Sequence, residues 1–195
     1  MKHVMISSIL TALTATVLLT GCGSESAATS SGSADSSSNA APAAQDIGTE
    51  LTIGVASLTA HAGDKAVPVS VNIWNNPGYG ATGMQLIYDP ALTPVKTGEV
   101  SPNSNYPFAK CTLGEAAEDF MQSCLIGEEA HLIAFGGMST TNCTNDGAIF
   151  TVYFDIPADA KAGQQYKFQC NLDSLNTADK EKLTAATIEG TLTIE

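Results

Sequence analysis

The chain has 195 residues, 20 Asp and Glu against 8 Lys, no arginine, and a formal charge of −12. So acidic a surface is repelled by phosphate backbones and anionic headgroups, which excludes nucleic acid as a partner and any basic patch as a membrane contact. The length beyond the first fifty residues suits one domain with a sizeable core.

The first element is a leader over residues 1–21. Lys2 and His3 form its cationic start, and Val4 to Leu19 its apolar run, which includes Ile9, Leu10, Leu13, Val17 and Leu18. It is too short for a permanent spanning helix. It ends in Leu19-Thr20-Gly21-Cys22, the arrangement of a bacterial lipoprotein signal, cut before a cysteine whose thiol has already become a thioether lipid. The expectation is export, lipidation at Cys22 and attachment to the outer face of the cell membrane, since several acyl chains make detachment negligible. Removing the leader takes Lys2 and leaves 7 Lys against 20 acids, a formal charge of −13.

Residues 22–49 follow as a tether of Ser, Ala, Gly, Thr, Asn and Pro, with almost no apolar side chain above alanine in size. Such a segment cannot bury enough surface to offset its own ordering. As a flexible chain it reaches roughly 30 Å, and about three times that when pulled straight.

From residue 50 to 195 the pattern is short strands separated by turn chemistry. Leu51, Ile53 and Val55 open the domain; Val67, Val69, Val71 and Ile73 alternate with Pro68, Ser70 and Asn72. Phe150, Val152, Phe154 and Ile156 alternate with Thr151, Tyr153 and Asp155, and Ile188, Leu192 and Ile194 with Glu189, Thr191 and Thr193. Turns fall at Ala62-Gly63-Asp64, Asn75-Asn76-Pro77-Gly78, Asp89-Pro90, Asn145-Asp146-Gly147 and Lys161-Ala162-Gly163. The period of two with such turns predicts an all-β sandwich. Two brief helical excursions are expected, over 114–119 and 177–183, the second capped by Asn176 or Thr177.

Two strands break clean alternation. Over 83–88 the inward set is Met84, Leu86 and Tyr88, which leaves Ile87 facing out beside Gln85 and Gly83. Over 131–137 both sets are apolar, Leu132 with Ala134 and Ile133 with Phe135, so one side is covered by a loop or awaits a partner.

Besides Cys22 there are Cys111, Cys124, Cys143 and Cys170, an even number in an exported domain, which allows two disulfides in any of three pairings. Sequence does not choose among them; joining neighbours, Cys111 with Cys124 and Cys143 with Cys170, is the favoured pairing, and four buried free thiols the competing state. With no Cys-x-x-Cys and only His61 and His131 in the domain, no metal site is expected. Catalytic signatures are missing too: Gly137-Met138-Ser139-Thr140 is not closed by a glycine, and Glu128-Glu129-Ala130-His131 lacks the first histidine of a zinc-protease motif. The adjoining acids Glu118-Asp119 and Glu128-Glu129 would point apart on a strand. Residues 142–147 resemble a calcium loop only loosely, because Thr144 is a poor ligand and Tyr153 stands where a glutamate belongs. No enzyme activity and no cofactor are expected.

In order and spacing, Leu51 to Val55, Ala62-Gly63-Asp64, Val67-Pro68-Val69-Ser70-Val71, Asn75-Asn76-Pro77-Gly78 and Gly83 to Asp89-Pro90 resemble the first half of a cohesin domain. Asp146-Gly147-Ala148-Ile149-Phe150, Phe154-Asp155-Ile156-Pro157 and the closing Ile188–Ile194 are similar to its second half; the likeness is weakest between residues 99 and 129. The resemblance implies a nine-stranded jelly roll, monomeric when free, that binds a dockerin. That partner is the calcium-loaded helical module of polysaccharide-degrading enzymes or scaffoldins in cellulosomes and amylosomes, so calcium belongs to it and not to this chain. In that family the docking face is the outer side of the sheet built from the third, fifth, sixth and eighth strands. By position this puts Ala81, Gly83, Gln85 and Ile87, then Met121 or Ser123, then Ile133, Phe135 and Met138 on the partner-binding surface, with Glu128 and Glu129 as rim acids. A register one residue off would instead put Phe135 in the core. The competing function is a carbohydrate-binding module with Trp74 and Tyr79 as its aromatic platform, and a third is an adhesin-like lipoprotein that associates with itself.

Overall fold

The computed structural model describes residues 47–195; the leader, Cys22 and all but the end of the tether lie outside them. Fourteen strands and no helix occur among the described residues. They are β1 (Thr52–Val55), β2 (Leu58–Ala60), β3 (Val67–Trp74), β4 (Tyr79–Tyr88), β5 (Thr93–Pro94), β6 (Lys96–Val100) and β7 (Pro107–Ala109). Then follow β8 (Cys111–Leu113), β9 (Met121–Gly127), β10 (Leu132–Cys143), β11 (Gly147–Asp155), β12 (Gln165–Asn176), β13 (Ala186–Ile188) and β14 (Gly190–Ile194).

Two sheets face each other. The first runs β13-β1-β3-β11-β5, with β8 also paired to β11; the second runs β2-β14-β12-β4-β10-β9-β7-β6. Pairing is antiparallel except where the chain ends meet, β1 with β13 and β2 with β14. The expected strands are present, but the sandwich has more pieces than nine. The opening and closing strands each break so that one half serves each sheet: β1 and β13 in the first, β2 and β14 in the second. This crossing needs close backbone approach. A Cβ on Gly54 would stand 2.3 Å from the Ile188 carbonyl oxygen, and one on Gly190 2.6 Å from the Val55 Cβ, so only glycine fits at either place.

The alternating residues do what their period demands. Val69, Val71 and Ile73 of β3, Phe150, Val152 and Phe154 of β11, and Met84, Leu86 and Tyr88 of β4 all point between the sheets and are buried. A row of aromatic contacts crosses the interior: Phe135 lies flat on Phe150 with centroids 4.2 Å apart and planes 7° from parallel, Tyr88 meets Phe154 at 5.1 Å, and Phe154 meets Phe168 at 5.5 Å. β12 carries the same code, Tyr166, Phe168 and Cys170 inward and Lys167, Gln169 and Asn171 outward. It belongs among the strands readable from alternation, although its polar half made it inconspicuous.

Neither helical excursion forms. Over 114–119 the chain makes tight turns, Ala117 N–H to Gly114 O and Phe120 N–H to Ala117 O, each 3.0 Å. Ala116 and Ala117 are driven into the core by their burial, not by helical propensity. Over 177–183 the chain reverses through Lys180, whose φ is +68°, and Leu183 N–H returns to Leu175 O at 2.8 Å. Six or seven residues do not overcome the cost of helix nucleation when strand pairing competes for them.

Two aspartates hold loops against the sandwich. Asp146 accepts hydrogen bonds from the backbone N–H groups of Asn76 at 2.9 Å and Asn75 at 3.1 Å, so the loose calcium-loop likeness is a turn clamp. Asp155, at the end of β11, accepts from the Ala66 N–H at 3.0 Å and pairs with Lys65 at 3.1 Å. These contacts, the Ala66 N–H first and Lys65 next, hold the Asp155 carboxyl below the usual carboxylate range. A depressed folded pKa means the stabilisation is present above the unfolded carboxylate pKa and is lost as pH falls through the folded value. Asp155→Asn is therefore expected to lower Tm at pH 7 by roughly 2–5 °C. It should also remove part of the wild-type decline in Tm below about pH 4; calorimetry across pH 2–7 checks both.

A candidate protein-docking face

The outer side of the second sheet is read off its register. In β4 the residues turned outward are Ala81, Gly83, Gln85 and Ile87, each half-exposed while Thr82, Met84, Leu86 and Tyr88 are buried. β10 places Leu132 opposite Ile87, Ala134 opposite Gln85, Gly136 opposite Gly83 and Met138 opposite Ala81. β9 extends the rows with Gly127, Leu125, Ser123 and Met121, opposite the same four residues of β10. On the other flank β12 sets Gln169 beside Ile87, Asn171 beside Gln85, Ser174 beside Gly83 and Asn176 beside Ala81. A bulge between Leu172 and Ser174 admits one extra residue and turns Asp173 towards Gln85, whose Nε2 donates to Oδ2 at 3.1 Å.

Ile133 and Phe135 are corrected by this register. They stand opposite Leu86 and Met84, which point inward, and direct cross-strand partners share a face. Both are core residues, Ile133 0% and Phe135 2% exposed. The physical reason is volume: of the two apolar sets on this strand, the larger fills the space between the sheets and stacks on Phe150, and the smaller, Leu132 with Ala134, is left outside. A one-residue change of register reverses every side chain. Met138 has the parity of the outer set and is 56% exposed, and Met121 opposite it is 72% exposed. Ala81, Gly83, Gln85, Ile87, Met121, Ser123 and Met138 thus share one surface. Leu125, Leu132 and Ala134 belong to it as well and follow from the same alternation once the register is known; Asn171 and Asp173 follow from the alternation of β12, and Ser174 and Asn176 only from the bulge.

The face is divided in composition. The β12 flank is polar, with Lys167, Gln169, Asn171, Asp173, Ser174 and Asn176, while the β10 and β9 flank is apolar, with Leu125, Leu132, Ala134, Met121 and Met138. Between them Gly83 and Gly136 make a floor without side chains, and the space above Gly136 is open. Of the rim acids, Glu128 is ion-paired with Lys96.

Cys170 of β12 lies behind this face and is buried. Burial, with Asp173 nearby, pushes its thiol up to about 12, so it stays protonated at neutral pH. No group of three His, Cys, Asp or Glu side chains gathers to hold a metal among the described residues. The aromatic platform of the carbohydrate-binding alternative does not exist: Tyr79 is wholly buried, and its hydroxyl donates to Ala116 O at 2.7 Å. The favoured cysteine pairing is corrected in its second half. Cys143 is in register with Tyr79 and Cys170 with Leu86, seven residues along the same strand and so roughly 23 Å apart, far beyond disulfide reach.

The Cohesin domain family profile matches residues 49–194, and the chain belongs to that family, whose members are non-catalytic. Among solved structures it is similar to the OlpA cohesin in a type I cohesin–dockerin complex from Clostridium thermocellum. That match has TM-score 0.62 and 18% identity, and covers 75% of this chain and 99% of that one. It is also similar to a type III cohesin of the cell-surface anchoring scaffoldin ScaE of Ruminococcus flavefaciens, with TM-score 0.60 and 21% identity over 80% and 98% of the two chains. A non-cellulosomal cohesin of the archaeon Archaeoglobus fulgidus aligns at TM-score 0.59 and 20% identity, over 75% and 91%. At these identities the likenesses speak for the fold alone. No curated protein matches the sequence significantly.

Because Phe135 is a core residue, Phe135→Ala is expected to cost about 3–5 kcal/mol of folding stability. Urea denaturation checks it, and a variant as stable as wild type would return Phe135 to the surface.

Proposed function

We propose that this chain is a lipid-anchored cohesin that holds a dockerin-bearing protein at the outer face of the cell membrane. The observation that carries the proposal is the half-apolar face of the second sheet, where exposed Met121 and Met138 stand with half-buried Leu125, Leu132 and Ala134 beside a polar flank. Apolar side chains at the centre of an interface supply most of its affinity by burial, and a few polar ones fix orientation. Here Gln85, held by Asp173, is a preset polar contact, and the floor at Gly83 and Gly136 lets a helix lie close to the sheet. Cohesins of the same fold are seen in complex with dockerins in the structures from Clostridium thermocellum and Acetivibrio cellulolyticus. The calcium of such a complex belongs to the dockerin. The partner in this reading is a polysaccharide-degrading enzyme or a scaffoldin.

Anchoring rests on the sequence around Cys22 and on the polar stretch behind it, which gives the domain room to meet a large partner. The surplus acid charge keeps the domain soluble and speeds encounter with a basic helix. Association is tested by mixing the purified domain with dockerin-bearing proteins, with insoluble polysaccharide and with itself. A tight equimolar complex with the first, abolished by calcium chelation, is the expected result, and binding to polysaccharide or self-association instead would reject the proposal.

Met138→Asp is expected to weaken that complex by about 2 kcal/mol or more, some thirty-fold in Kd, while leaving Tm within about 2 °C of wild type. Gly136→Tyr, which fills the floor from the open side, should act in the same direction; titration calorimetry with a parallel melt reads both. A Cys22→Ala chain should leave the membrane fraction, as immunoblots of fractionated cells would show.

A further inference from the structure

Cys111 and Cys124 come from different sheets and meet. Cys111 is on β8 opposite Val152 of β11, a fully buried residue, so its side chain is turned between the sheets. Cys124 is on β9 opposite Phe135 and is itself buried. One strand inward on each sheet, Phe150 and Phe135 are stacked at 4.2 Å, which brings β11 and β10 into contact and their outer neighbours β8 and β9 with them. The nearness of Cys111, together with burial, raises the Cys124 thiol pKa well above that of a free thiol. Both thiols also line one open recess at the rim of the sandwich, with Thr97, Glu99, Ala109 and Gln122 around them. The remaining cysteines have other neighbours: Cys143 Sγ lies 3.7 Å from Glu115 O and Cys170 Sγ 3.8 Å from Met84 Sδ.

We infer that Cys111 and Cys124 form a disulfide that ties the two sheets together at this rim when the chain meets a small-molecule disulfide outside the cell. Cys111, the more exposed of the two, attacks as the thiolate. It bonds to one sulfur of the oxidant and expels the other as a small thiolate. Cys124 then gives its proton to solvent and attacks the Cys111 sulfur, releasing the second small thiol. Two protein thiols lose two electrons and two protons in all, and one disulfide of the medium is reduced to two thiols. The bond spans only the chain from 111 to 124, which contains the turns over 114–119. It pins β9, whose outward Met121, Ser123 and Leu125 belong to the docking face but whose outer neighbour β7 pairs with it at Phe108 opposite Leu125. The inference is independent of which partner the face binds.

The test treats the full chain with oxidised glutathione and digests it, unreduced, after glutamate. Cleavage after Glu99, Glu115, Glu118 and Glu128 separates the two cysteines into different peptides. The expected product is the peptide 100–115 joined to the peptide 119–128, two hydrogen masses lighter than their sum, with Cys143 and Cys170 still open to alkylation. Oxidation should raise Tm by roughly 5–10 °C. The Cys111→Ser chain should lack that rise, while Cys143→Ser keeps it. Free thiols at 111 and 124 after oxidation, a dominant bond to any other cysteine, or a Tm rise that survives Cys111→Ser would each overturn the inference.

Discussion

The stack of Phe135 on Phe150 sets the geometry of this molecule. It joins β10 of the second sheet to β11 of the first, and so decides which face of β10 points inward. Because β10 is paired with β4 on one side and β9 on the other, its parity is imposed on both, and the outward residues of three strands are chosen together. Burial of a ring this size outweighs any preference of Leu132 or Ala134 for the interior, since aromatic side chains bury the largest areas and gain further from their offset contact.

Function follows from what is left outside. Once the bulky set is consumed by the core, the exposed row on β10 runs Leu132, Ala134, Gly136, Met138. It is apolar but slight in bulk, and in the proposed reading it is the row that receives the partner's helix. The two exposed methionines, opposite each other at one end, add adaptable bulk that fits more than one shape. The polar flank is made differently. Its Asp173, at a bulge in β12, accepts a hydrogen bond from Gln85, and the same bulge turns Ser174 and Asn176 to the outer side. The face is carried by long central strands and not by loops, which keeps it ordered before any partner arrives and lowers the entropy lost on binding.

The ends and rims of the sandwich are secured by other means. The first and last strands of the sandwich are held by parallel pairing, β1 with β13 and β2 with β14, where Gly54 and Gly190 let backbones pass. Loops are fastened by single carboxylates, Asp146 on the turn at Asn75 and Asn76, and Asp155 on Ala66. In a chain so acidic, acceptance of backbone N–H groups gives some of the carboxylates a structural use that needs no cation. At the rim between β8 and β9 the sheets come close enough for two cysteines to face each other, the position where a covalent tie constrains the edge of the docking sheet.

The sandwich was legible residue by residue. Val67 to Ile73, Phe150 to Ile156 and Ile188 to Ile194 announce strands by period, and Met84, Leu86 and Tyr88 announce their inner side although Ile87 stands in the other set, because in these segments one alternating set is wholly apolar and the other mostly polar. The outward positions Gly83, Gln85 and Ile87 were readable from the same alternation, and Ala81 from the family resemblance. Alternation could not orient β10, where both sets are apolar, nor show that residues 114–119 and 177–183 are turns. Orientation there depends on contact with Phe150, Met84 and Leu86, which are distant in the chain, and the turns on strand pairings that local propensity does not see. Likewise the cysteines were countable from sequence, but which of them can meet was settled by the register that separates Cys143 from Cys170 along β4 and the packing that brings Cys111 to Cys124. Periodicity is a local property and determined the strands; register and sheet-to-sheet packing are non-local, and they alone decided which side of β10 became the surface.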